Sequence, residues 1–185
     1  MTLFEYMSVA VSMILALTFA EGLRGLRSSI APGKRYGTHC AWLFIKLANP
    51  VFYWWTLWGV RESAEFWNFW TYVLTLSAPA IMYLQMTSLV SDRPNEISDW
   101  RKHFYSQRQW FFILNTILAL IAIVILLRGY SDTPRGIISA SGYSFLGILS
   151  LMGIFSDNPR LHAFIAFAVA AFTILFYGIA TYDPM

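Results

Sequence analysis

A chain of 185 residues that is 57% hydrophobic and 12% charged carries about half the charge of an ordinary soluble domain, which holds roughly 25%. That leaves too little polar surface to face water all round, and no length for a separate soluble domain. The formal charge of +3 comes from basic residues in loops beside apolar stretches, which speaks for orientation in a membrane and against nucleic-acid binding.

Six apolar stretches predict helices at about 4–24, 40–60, 66–90, 104–128, 137–155 and 160–181, each near the roughly 20 residues that cross a hydrocarbon core. The expected fold is therefore all-α: one polytopic integral membrane domain over 1–185, with six transmembrane helices. Residues 1–7 contain Glu5 and no Lys or Arg, so the first stretch lacks a signal peptide's basic region and reads as a retained helix. It ends in Glu21, Arg24 and Arg27. Ser28, Ser29, Pro32 and Gly33 then predict an irregular turn. The single cysteine, Cys40, excludes a disulfide within the chain and reads as a buried thiol.

The second stretch holds the most informative residue. Lys46 falls about six residues, or about 9 Å, into the predicted helix. A lysine inside a span costs roughly 2.5–3.5 kcal/mol on insertion scales and tends to mark function; the bland alternative is snorkelling to the headgroups. Asn49, Tyr53 and Thr56 follow at i+3, i+7 and i+10, which makes one polar stripe. Pro50 cannot donate to the carbonyl of Lys46 and is a candidate kink. Glu21 is the nearest acid expected for Lys46.

The second stretch closes on Trp54, Trp55 and Trp58, and the third opens on Phe66, Trp67, Phe69 and Trp70 across a turn at 61–65. An aromatic belt at the membrane surface is the bland account. A pocket for a lipid, quinone-like or other apolar ligand is the sharper one. Asn68, Thr71 and Thr75 share a face of the third stretch, Pro79 would free the carbonyl of Thr75 as a second candidate kink, and Gln85 lies further on.

Before the fourth stretch, Pro94, Asn95 and Ser98 read as a helix start. Trp100, Phe104 and Phe111 share one of its faces, and Arg108 and Asn115 are aligned seven apart. Lys46, Asn49, Tyr53, Gln85, Arg108 and Asn115 thus form a candidate polar path or vestibule open to the cytoplasm. The competing account is hydrogen-bonding glue between helices. In the last two stretches, Ala140, Ser144 and Gly147, and Ala163, Ala166 and Ala170, form small-residue stripes that suit close helix packing.

His39, His103 and His162 each begin a different stretch, without the paired spacing of a metal or haem site. Phosphate-loop, zinc-protease and nucleophile-elbow motifs are absent. No catalytic residue, metal or cofactor is therefore expected, and the chain is not read as an enzyme.

Nine Lys and Arg flank the loops after the first, third and fifth stretches, against three (Arg61, Arg128 and Arg135) on the other side. By the positive-inside rule the odd loops face the cytoplasm, and both termini lie outside. A compact chain of this kind suits a bacterial cytoplasmic membrane. The leading expectation is a small oligomeric channel or facilitator for an ion or small solute. The alternative is a non-catalytic partner or sensor that binds another membrane protein or a lipid. Expected contacts are the bilayer and either a second copy or another membrane protein.

Overall fold

The computed structural model describes residues 3–59, 67–91, 93, 96–130 and 134–180. They form α1 (Leu3–Ser29), α2 (Gly37–Gly59), α3 (Phe69–Leu89), α4 (Trp100–Tyr130), α5 (Pro134–Phe155) and α6 (Pro159–Ala180), with no strand among the described residues. The turn at 61–65, Phe66, Pro94, Asn95, and the side chains of Arg128 and Arg135 lie outside them.

α1, α4, α5 and α6 are long and apolar enough to cross a membrane. α5, the shortest stretch expected from sequence, is among them. α2 and α3 have 23 and 21 residues, or about 34 and 32 Å at 1.5 Å per residue. Their length is sufficient, but Lys46 and Asn49 in α2 and Gln85 in α3, together with Trp, Tyr and Thr, dilute their hydropathy.

Side-chain caps set where the helices start. Asn68, expected on the polar face of the third helix, instead stands before it as the N-cap. Its carboxamide accepts from the backbone N–H of Trp70 and Thr71, while the Thr71 hydroxyl accepts from the Asn68 N–H. This reciprocal capping box places Trp67 ahead of α3 rather than in it. At α4 the cap is Asp99 rather than Ser98: its carboxylate accepts from the N–H of Arg101 and Lys102, where an acid is favoured at the helix N-terminus. Asn158 does the same for α6 ahead of Pro159, accepting from the Arg160 N–H.

The helices alternate in direction, so the odd loops gather at one end, called the basic end below. Trp100 Nε1 donates to the Ser28 carbonyl at 3.2 Å, Arg24 to the Ser91 carbonyl at 3.3 Å, and His103 Nε2 to the Leu89 carbonyl at 3.2 Å. Arg108, buried in α4, donates to the Ser156 carbonyl at 2.6 Å and pairs with Asp157, which fixes the α5–α6 turn. Glu21 pairs with Arg24 on its own helix, so it is not the partner of Lys46.

Two glycines let α1 lie close against its neighbours. A Cβ on Gly22 would meet Leu47 at 2.5 Å and Met86 at 2.7 Å, and one on Gly25 would overlap the Val90 side chain. α4 and α5 run together along their length, whereas α5 and α6 touch little and α6 leans on α2. The small-residue stripes accordingly do not form one shared α5–α6 face. Gly147 faces Ala119 of α4, Ala166 is in the core, Ala140 and Ala170 are half-buried, and Ser144 and Ala163 are exposed.

The core has two parts. Trp42, Leu43, Met86, Phe104, Phe111 and Phe112 fill the basic half, and Phe4, Met7, Val11, Leu15, Leu57 and Met82 join α1, α2 and α3 in the other. Overpacking a tight contact costs about 1–3 kcal/mol. Gly25→Leu is therefore expected to lower stability by about that amount in a thermal melt of the detergent-solubilised protein. Gly37→Ala, where the added atom meets open space, should leave the melt unchanged.

Candidate functional site: a cavity that ends at a buried lysine

A cavity of about 480 Å³ lies between α2, α3, α4, α5 and α6. At its end nearer the basic side stand Lys46 and Asn115. Asn49, Tyr53, Thr56 and Thr75 follow on one wall, with Ser139, Tyr143, Ser150 and Thr173 elsewhere on the lining. The rest is apolar. From Asn115 to Leu126, both on the lining, α4 rises about 16 Å at 1.5 Å per residue, so the cavity is elongated along the helices.

Lys46 is 5% exposed. Its Nζ donates to Asn115 Oδ1 at 2.5 Å, and Gln85 Nε2 donates to the same oxygen at 3.0 Å. An ammonium can only donate, so Lys46 itself dictates that the oxygen of Asn115 faces it. The pair of bonds ties α2, α3 and α4 together at one level. Nζ also lies 5.9 Å from the Trp42 ring centroid and 5.5 Å from that of Phe111, within the range where an aromatic face attracts a cation. No carboxylate reaches Lys46 among the described residues. Asn115 Nδ2 and Gln85 Oε1 are buried without a partner among the described residues.

The second polar feature follows from a missing donor. Pro79 has no N–H, so the carbonyl of Thr75 lacks its helical partner. The Tyr53 hydroxyl donates to that carbonyl at 2.5 Å. One proline thereby ties α3 to α2 beside the cavity. Both α2 and α3 continue through their prolines, Pro50 and Pro79.

Toward the basic end the cavity is blind. Trp42, Phe111 and Phe112 are all but fully buried and meet edge-on, with Trp42 5.0 Å from Phe111 and 5.5 Å from Phe112 between ring centroids. The His162 ring stacks on Phe112 at 5.4 Å, and His39 stacks on Trp100 at 4.7 Å. His39 and His103 approach to 6.3 Å, but Phe104 stands between that pair and His162. No group of three His, Cys, Asp or Glu side chains among the described residues is placed to hold a metal ion.

Of the six polar residues singled out from sequence, Lys46, Asn49, Tyr53 and Asn115 border one cavity. Gln85 reaches it through Asn115, and Arg108 stands apart at the α5–α6 turn. None of the five tryptophans named for an apolar pocket lines the cavity. Trp55, Trp58 and Trp70 are exposed; Trp54 and Trp67 pack on the core of α1, α2 and α3. The contributions of α5 and α6, chiefly Tyr143, Phe172 and Phe176 with Ser139, Ser150 and Thr173, carry no charge, and their small hydroxyl groups form no stripe that sequence reasoning singled out. Phe172 and Phe176 stack at 5.5 Å.

Comparison with family models, curated proteins and solved structures finds no match for this chain.

Interhelical hydrogen bonds in membrane proteins average about 0.6 kcal/mol and reach about 1.7. Tyr53→Phe should fall at the upper end, because the Thr75 carbonyl has no helical donor to return to. In a Pro79→Ala background, where an N–H is restored, the same change should cost little. A double-mutant cycle on unfolding free energy checks this, and equal costs in the two backgrounds would refute the account.

Proposed function

We propose that the chain is a membrane-embedded binding protein for an elongated, single-tailed amphiphile. The observation that carries this reading is the cavity: mostly apolar walls over about 16 Å with a stripe of Asn49, Tyr53, Thr56 and Thr75, a charged end at Lys46 beside Asn115, and a volume of about 480 Å³. Binding sites for small molecules fall at about 300–1,000 Å³ with a few placed polar groups on an apolar lining.

The reading belongs with the partner-or-sensor alternative from sequence. A channel or facilitator needs a path past Trp42, Phe111 and Phe112, whose edge-on packing stands against it unless that packing opens. Four membrane-capable helices, and two more of sufficient length, support six spans. The basic end faces the cytoplasm in this proposal, and both termini face out. A bacterial cytoplasmic membrane suits the arrangement. In this reading a second copy or another membrane protein would receive a signal from the site.

Two measurements test the proposal. Ala122→Trp, which fills the cavity from α4, should lower retention of a radiolabelled single-chain amphiphile by at least about tenfold (about 1.4 kcal/mol) while the protein stays folded. In liposomes the wild-type protein should conduct no small anion, cation or proton. Selective flux that Lys46→Met alters would overturn the binding reading in favour of a pore.

A further inference from the structure

Among the described residues, Lys46 has no counter-charge. It stands at the polar end of the cavity with three N–H donors, one of them used by Asn115, and no acid among the described residues reaches it. The neutral oxygen of Asn115 and the faces of Trp42 and Phe111 offset part of the cost of a buried ammonium. They do not neutralise it, and an uncompensated charge in an apolar interior is expensive.

Resting on the binding reading above, we propose that the occupant of this cavity is a single-tailed carboxylic acid whose carboxylate is the counter-ion of Lys46, its chain running along α4 toward Leu126. A single cation matches a monoanion. A carboxylate is planar and accepts at both oxygens. One oxygen takes a Lys46 N–H, and Asn115 Nδ2, buried and without a partner among the described residues, would serve the other once the amide turns it toward the cavity. Gln85 is a positioning residue. It holds Asn115 Oδ1 toward α3, which sets the orientation from which the amide turns. A phosphate monoester carries close to two negative charges at neutral pH, and the excess charge would be left in the apolar part of the site.

The test uses full-length protein in nanodiscs of neutral lipid, with empty discs as the blank. The probes are myristate, methyl myristate, myristyl alcohol and myristyl phosphate. Wild type is expected to bind myristate at least about tenfold tighter than the ester or the alcohol, and tighter than the phosphate. That preference should fall to about unity in Lys46→Met, which should still bind the alcohol because the cavity is intact, and should persist in Lys46→Arg. If Lys46→Met does not fold, the wild-type ratio and Lys46→Arg decide. Equal binding of acid and ester by wild type overturns the carboxylate assignment and leaves the cavity reading standing. Tighter binding of the phosphate overturns the choice of head group. Binding of none of the four probes overturns the cavity reading itself.

Discussion

The hydrogen bonds that converge on Asn115 Oδ1 constrain the rest of the bundle. One oxygen accepts from a cation on α2 and an amide on α3, so three helices are fixed at one depth by groups that cannot be left alone in an apolar interior. Hydrophobic burial supplies little direction between helices when the surroundings are as apolar as the side chains. Register must come from polar contacts and from shape. The carboxamide of Asn115 supplies the first, and Gly22 and Gly25, which bring α1 down onto Leu47, Met86 and Val90, supply the second.

The same economy of donors and acceptors runs through the fold. Pro79 subtracts an N–H and Tyr53 makes up the loss from another helix, so a feature usually described as a bend acts here as a cross-link. The turns at the basic end are held similarly by side chains reaching for carbonyls: Trp100 to Ser28, His103 to Leu89, Arg108 to Ser156. Each bond satisfies a backbone group near a helix end that the helix itself leaves open. The half of the bundle around these bonds is packed with rings, and the half beyond Lys46 is where the cavity opens.

Much of this was legible in the sequence, and the exceptions share a cause. Apolar run length located all six helices, because length and hydropathy are properties of one segment. Helical spacing put Lys46, Asn49 and Tyr53 on one stripe, and Pro79 signalled the open Thr75 carbonyl, since both are consequences of local geometry. What spacing does not encode is the neighbour. Arg108 and Asn115 are aligned on α4, yet the arginine serves the α5–α6 turn and the asparagine serves Lys46. Glu21, at a suitable depth for Lys46, is taken by Arg24 one turn away. The small stripes on α5 and α6 suit close packing but do not say against which helix, or against which copy of the chain. Phe112, which lies against Gly153, draws α5 to α4, and α5 meets α6 where Phe172 packs against Gly142 and Phe145. The starts of α3 and α4 differ from the expected ones by a few residues for a chemical reason, because Asn68 and Asp99 accept the first N–H groups of these helices.

The ring-packed half has an electrical consequence. Trp42, Phe111, Phe112 and Phe104 leave almost no accessible surface between them. An ion or proton would have to enter this layer without solvation, so the layer acts as a dielectric in series with the open part of the bundle. The rings thus place a layer of low polarity between the cavity and the basic end, where a bare charge would be held only at high cost.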